Sequence, residues 1–475
     1  MNFSLLKHPF VSQTPKEGFI PVTNPATLQE IAYVKSVGQA KLEQIIAHAH
    51  KAQKEWAGKL ALERADILLK LRALLLENIE DLARILTQEM GKPLKEARSE
   101  IAYGANYLRW FAEQARRVDG DILPSVAQNQ KILVLKQPIG VCAAITPWNF
   151  PSGMIARKLA PALACGCAMV IKPATQTPLS AYALMVLAQK AGIPEGVLSV
   201  VTGDTKMLAK CICESDVVRK ISFTGSTEVG KILAAQSAST LKKLSLELGG
   251  NAPFIVFEDA NLEKAAEGIM LSKFRNSGQT CVCANRIYVQ KSVYEELSCI
   301  LKSKVESLKL GNGLEENTTQ GPLIDSRAVA KVQEHITDAK AKGAKVLCGG
   351  KASSLGASFF EPTILTGVNQ GMAVAKEETF GPLAPLFSFD TEEEVLKWAN
   401  ATQYGLAAYF YTQNLARVFR MSEALEYGMV GVNAGHISTE TAPFGGIKQS
   451  GMGREGSKYG IEDYLEIKYL NVRLD

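Results

Sequence analysis

Apolar positions recur with a helical period over residues 39–118. Leu68, Leu69, Leu71, Leu74, Leu75 and Leu76 crowd one segment of that stretch, with Glu and Arg on the other face, which predicts helices packed through an apolar stripe. Residues 121–138 change character, and Ile132, Val134 and Leu135 between turn-rich flanks predict extended chain. From residue 139 onward short apolar runs alternate with helical stretches: VCAAI, 152–165, AMVI, 178–191, LSVV, 204–213, KISF, 227–238 and KLSLEL. Such βαβ alternation predicts a parallel sheet covered by helices. A second α/β series opens after Asn251 with APFIVF, a helix over 259–272 and RIYVQ. The tail DYLEIKYLNV predicts a strand, and pairing with 121–138 would link distant parts of the chain or neighbouring subunits.

Composition narrows the class. The 475 residues are 47% hydrophobic and 21% charged, with a net charge of +5, an ordinary globular balance with room for two or three domains. Lys and Arg are interleaved with Asp and Glu, so no nucleic-acid partner is expected. No membrane span is expected either, because no apolar run reaches about 18 residues. Lys7, His8 and Pro9 interrupt the only apolar stretch that could resemble a secretory leader. Nine cysteines without such a leader suit reduced thiols and a cytoplasmic location. Three cysteine pairs have C-x-C spacing and the five histidines form no ligand pattern, so no metal site is expected.

Several segments combine reactive side chains with turns. Residues 274–286 read FRNSGQTCVCANR and place Cys281 after a Gly-Gln-Thr turn, just before a strand. Taken alone, one cysteine reads more readily as a small buried apolar residue than as a nucleophile. Residues 246–251 read LELGGN, and Glu247 ends an apolar strand there. A carboxylate at that position is either a solvated or ion-paired strand end, or a general base whose pKa an apolar site raises. In ITPWNFP, residues 145–151, Asn149 offers an amide donor to a developing oxyanion, or is an ordinary turn residue beside a packing Trp148. FTGSTEVG, residues 223–230, gives a strand, the turn Gly225-Ser226-Thr227 and a helix start able to hold a pyrophosphate, although such residues also cap ordinary helices. Lys172 and Thr175 follow another strand, where cofactors bind in open α/β sheets.

Together with 377–382 (EETFGP) and PFGG, these segments resemble the aldehyde dehydrogenase superfamily, in its order and approximate spacing over nearly the whole chain. The resemblance implies an α/β fold with a Rossmann-like cofactor-binding domain (1–120 and 139–250), an α/β catalytic domain (251–437) and a small oligomerisation β-sheet from 121–138 and 456–475. It implies a homodimer or homotetramer. It assigns Cys281 as nucleophile, Glu247 as the base that activates water, and Asn149 with the Cys281 N–H as oxyanion donors. It assigns Lys172, Ser226 and Glu378 to the adenosine ribose, pyrophosphate and nicotinamide ribose, and Phe380 to packing near the nicotinamide. Trp148, Thr175, Gly225 and Leu248 complete the expected cofactor set.

FRNSGQTCVCANR and the tail PFGGIKQSGMGREGSKYGIEDYLEIKY are similar to the succinate-semialdehyde dehydrogenase branch, which takes part in GABA degradation. That branch implies Arg157, Arg275 and Ser438 as the carboxylate site of a small carboxylated aldehyde; each Arg alone reads as an ordinary ion pair. Many NAD-preferring relatives carry Glu where Thr175 stands. Its absence removes a charge that would repel a 2′-phosphate, so NADP is expected over NAD. Cys283 is either a packed side chain or the partner of Cys281 in a reversible, inactivating disulfide. Glutarate semialdehyde is the alternative substrate, one methylene longer. A coenzyme-A-acylating relative, a catalytically silent binding protein and a cofactor-independent thiol esterase are the competing readings.

Overall fold

The computed structural model describes residues 3–473; the first two and last two residues of the segments assigned above lie outside them. The helical region resolves into Gln39–Gly58, Ala61–Glu77, Ile79–Met90 and Leu94–Ala115. Leu68, Leu71 and Leu75 are buried while Leu69 is exposed, as a single apolar stripe requires. Before these helices stands a three-stranded antiparallel sheet of Val11–Ser12, Phe19–Thr23 and Glu30–Lys35 that the apolar pattern did not predict.

Two further sheets frame the molecule. The first has the spatial order Leu198–Val200, Ala168–Lys172, Val141–Ile145, Val218–Thr224, Lys243–Glu247 and Gly451–Met452. Its first five strands are parallel, and the sixth returns antiparallel from the C-terminal region. Numbered along the chain, the parallel strands run 3-2-1-4-5. Strand order therefore reverses between Val141–Ile145 and Val218–Thr224, where a crevice opens at the carboxyl ends. The second sheet contains Ala252–Val256, Ala284–Gln290, Leu383–Phe389, Thr363–Val368, Ala407–Tyr411 and Met429–Val432 in parallel, with Lys345–Cys348 antiparallel at one edge. Both sheets are buried on two faces, which accounts for strands that read as unbroken apolar runs.

The tail strand Leu465–Arg473 pairs antiparallel with Gln130–Pro138 over nine residue pairs, and Asp121–Leu123 adds a third strand. The predicted link between distant parts of the chain is thus made within one chain. Asp463 and Tyr464, included in the predicted strand, instead lie in the 3₁₀ turn Glu462–Tyr464. No helix among the described residues is long and apolar enough to cross a membrane.

Candidate active site

The carboxyl ends of the first sheet face the amino ends of the second across a cavity of about 1250 Å³. From the first sheet come the loop after Val141–Ile145, which carries Trp148 and Asn149, the turn with Gly225 and Ser226, and Glu247 with Leu248. From the second come Cys281, just ahead of Ala284–Gln290, and Glu378 with Phe380, just ahead of Leu383–Phe389. Arg157, Arg275 and Ser438 line the same cavity. Lys172 and Thr175 do not; they stand at and beyond the carboxyl end of the neighbouring strand Ala168–Lys172. Cys283 is fully buried behind the Cys281 turn, where its thiol donates to the Lys273 carbonyl at 3.6 Å. Both thiols are free.

Cys281 is half-buried. Burial pushes its thiol up to about 12; Arg157 pulls against this and Glu378 adds to it. The segment ahead of it is tightly set. Asn276 and Ser277 adopt left-handed backbone, with φ of 53° and 52°. Glu96 Oε2 accepts the Asn276 N–H at 2.8 Å, and Ser277 Oγ donates to the Gly321 carbonyl at 2.9 Å. Gly250 of LELGGN backs directly onto this turn, because a Cβ there would lie 2.5 Å from the Cys281 carbonyl oxygen.

Glu247 is 2% exposed, and neither carboxylate oxygen has a hydrogen-bond partner in the protein. A buried carboxylate without partners is costly and marks a group kept ready for something else. Burial raises its pKa well above the ordinary range; Glu455 adds to the rise, while Arg157 and Lys158 oppose it. Asn149 Nδ2 donates one hydrogen to the Gln279 carbonyl at 2.9 Å. That bond fixes the amide and leaves its second N–H available.

Arg157 Nη2 lies 2.6 Å from Glu455 Oε2. Nη2 is thus ion-paired with Glu455, while Nε has no hydrogen-bond acceptor in the protein. Lys158 bonds the other Glu455 oxygen and also donates to Ser222 Oγ at 3.0 Å and Thr224 Oγ1 at 2.7 Å. Arg275 is half-buried over the Phe150 ring, 5.3 Å from its centroid.

The cofactor end has orphaned polar groups as well. Lys172 is buried, and burial pushes its ammonium down to about 8, with Asp204 opposing. It makes no hydrogen bond to the protein among the described residues, so an anion or a pair of hydroxyls would satisfy it. Thr175 Oγ1 reaches only Thr205 Oγ1, at 3.4 Å. Ser226 caps Thr227–Ser237 by accepting the Val229 N–H at 3.3 Å, and that helix start attracts anions. Glu378 accepts the Gly250 N–H at 3.3 Å, and burial lifts its carboxyl to about 8. Trp148 and Phe380 meet edge to face with centroids 5.5 Å apart. A buried cation, an anion-attracting helix start and a buried carboxyl have the chemistry to meet the phosphates and ribose hydroxyls of a dinucleotide.

A family model described as the aldehyde dehydrogenase family matches residues 10–470. The chain belongs to the aldehyde dehydrogenase family. It is 60% identical over 449 residues to a 3-sulfolactaldehyde dehydrogenase of Pseudomonas putida, covering 94% of this chain and 92% of that one. It is also 60% identical over 453 residues to a glutarate-semialdehyde dehydrogenase of Pseudomonas putida, covering 95% and 94%. A succinate-semialdehyde dehydrogenase [NADP(+)] of Escherichia coli is 57% identical over 455 residues, covering 96% and 94%. The crystal structure of a succinate-semialdehyde dehydrogenase from Burkholderia pseudomallei superposes with a TM-score of 0.97 at 56% identity over 99% of each chain.

Sequence reasoning missed the residues that hold this aldehyde dehydrogenase site in shape. Lys92 Nζ donates to Glu100 Oε2 at 2.6 Å and to the Asn149 carbonyl at 2.7 Å, and Glu100 Oε1 accepts the N–H groups of Ser152 and Gly153. Glu96 and Glu100 stand four residues apart on one face of Leu94–Ala115, and Lys92 lies just ahead of that helix. Lys158 had a clearer signal, because GMIARKLAPALAC is apolar except for Arg157 and Lys158. Glu455 and His436, the latter beside Arg275, had none.

Proposed function

We infer that this enzyme oxidises succinate semialdehyde to succinate, with NADP preferred over NAD. The observation that carries the reading is one cavity shared by a thiol, an unpartnered buried carboxyl and two guanidinium groups. Cys281, as thiolate, attacks the aldehyde carbon, and Asn149 Nδ2 with the Cys281 N–H holds the resulting oxyanion. A bound nicotinamide would supply the acceptor for the hydride lost from the thiohemiacetal carbon. Cys281 is then a thioester, and Glu247 takes a proton from the water that hydrolyses it to succinate and free thiol. Arg157, Arg275 and Ser438 hold the far carboxylate, so the aldehyde carbon is presented to Cys281. Lys172 with Thr175, Gly225 with Ser226, and Glu378 with Trp148, Leu248 and Phe380 hold the dinucleotide along its length. Thr175 brings no negative charge toward a 2′-phosphate, and Lys172 supplies a positive one.

The relatives at 60% identity favour a second reading, oxidation of a longer or differently charged acidic aldehyde such as glutarate semialdehyde. The division into cofactor-binding, catalytic and assembly parts at 1–120 with 139–250, 251–437, and 121–138 with 456–475 goes with this function. So does assembly into dimers or tetramers through the small sheet, and nine unpaired cysteines suit the cytoplasm. Values of kcat/KM for succinate semialdehyde, glutarate semialdehyde and butanal with NADP and NAD test the reading. The expected order places succinate semialdehyde first and NADP above NAD. Equal activity on butanal, unaffected by Arg157→Ala or Arg275→Ala, would refute the carboxylate site.

A further inference from the structure

Arg275 has a neighbour that the reaction itself does not use. The loop NAGHIS, residues 433–438, enters the cavity wall with His436 and Ser438. Its backbone is anchored from both sides. Asn433 Nδ2 donates to the Thr412 carbonyl at 2.9 Å, and Asn433 Oδ1 accepts the Thr412 N–H at 3.0 Å. Gly435 presses on the helix Leu262–Lys273, because a Cβ there would stand 2.3 Å from the Gly268 carbonyl oxygen. The side chain at position 436 therefore starts from a fixed point.

His436 Nε2 lies 2.9 Å from the Ser438 carbonyl oxygen. A carbonyl only accepts, so Nε2 carries the proton and Nδ1 bears a lone pair. Arg275 Nη1 stands 3.3 Å from that Nδ1 and donates to it. Partial desolvation and the positive charge of Arg275 push the imidazole pKa down, against the Ser438 carbonyl, and so favour the neutral ring that can accept. Among the described residues the guanidinium makes no other hydrogen bond to the protein. Its plane rests on Phe150 and one corner is tied to His436, which leaves its other donors free.

We propose that His436 is a positioning residue that sets the enzyme's preference for anionic aldehydes, by holding the Arg275 guanidinium toward the cavity with its remaining donors open to the substrate's far carboxylate. This rests on the carboxylate-end reading given above. An arginine without such a tie samples many rotamers, and ordering it on binding weakens the complex. His436 is exposed to the cavity rather than packed in the core, so substitution there leaves the fold's interior untouched.

The test compares kcat/KM for succinate semialdehyde and for butanal, with NADP, in the wild type, His436→Leu, His436→Asn and Arg275→Leu. Butanal turnover in each preparation reports folded, active enzyme. In His436→Leu the acid-to-neutral ratio is expected to fall about ten-fold, the weight of one charge-assisted hydrogen bond, and to fall through KM. His436→Asn keeps an acceptor near the Nδ1 position and recovers part of the ratio. Adding His436→Leu to Arg275→Leu produces no further drop, because the two act as one unit. An unchanged ratio in His436→Leu with a lowered one in Arg275→Leu overturns the inference and leaves the carboxylate site standing. An unchanged ratio in both overturns the substrate reading itself.

Discussion

Burial pushes both the Cys281 thiol and the Glu247 carboxyl toward their neutral forms, because removal from solvent disfavours either charge. With the thiol pushed up to about 12, the reactive thiolate becomes more abundant as pH rises. The expected outcome is a kcat/KM for aldehyde oxidation that climbs from neutral into the alkaline range, by up to about ten-fold per pH unit. A profile that is flat or falls over that range contradicts it. Cofactor choice is also decided by single residues. Thr175→Glu places a carboxylate beside the buried Lys172, where it pairs with the cation and repels a 2′-phosphate. The ratio of kcat/KM for NADP over NAD is expected to fall by about ten-fold or more. An unchanged ratio means that Thr175 does not face the ribose.

Among elements, the helix Gly153–Cys165 and the strand Gly451–Met452 with the residues after it meet at the Arg157–Lys158–Glu455 cluster. Burial alone would raise the Glu455 carboxyl, but Lys158 and Arg157 outweigh it and bring the pKa from 4.5 to about 2. The sign follows from that depression: the folded state binds the proton more weakly than the unfolded chain. Glu455 thus contributes stability that is complete above 4.5 and is lost as pH falls toward 2. Glu455→Gln is expected to destabilise at neutral pH by about 3 kcal/mol, since two buried cations lose their partner. The gap to wild type narrows in denaturant titrations as the pH is lowered through that window; a constant gap contradicts the account. The elements themselves were largely legible. Runs such as VCAAI and APFIVF announced buried parallel strands, and the leucine-rich stripe announced a helix. Phe19–Thr23 and Glu30–Lys35 were not legible, because they lie on the surface with mixed burial, and Pro21 interrupts the first. Lys92 and Glu100 were missed because a charge before or within a helix reads as solvated until the fold buries it against its partner.

At the scale of the molecule, the cavity gathers residues from 93 to 444, and only the ordered motifs made that convergence readable in the sequence. Burial periodicity could place the buried parallel strands but not the meeting of one sheet's carboxyl ends with another's amino ends. The small sheet leaves Ile122, Ile467 and Tyr469 exposed at 78%, 70% and 56%, an apolar face of the kind that contacts between copies of a chain cover. Ile467→Glu is expected to shift sedimentation toward smaller species while the circular dichroism spectrum is kept; an unchanged mass argues against assembly through this sheet. The most direct test of the proposed chemistry is to trap its intermediate. Glu247→Gln, which should slow hydrolysis by about a hundred-fold or more, is mixed with succinate semialdehyde and NADP, quenched in acid and digested for mass spectrometry. The prediction is a succinyl group on the peptide carrying Cys281, present only when NADP is added. A peptide left unmodified under turnover conditions, or a succinyl group on Cys283 instead, would contradict it.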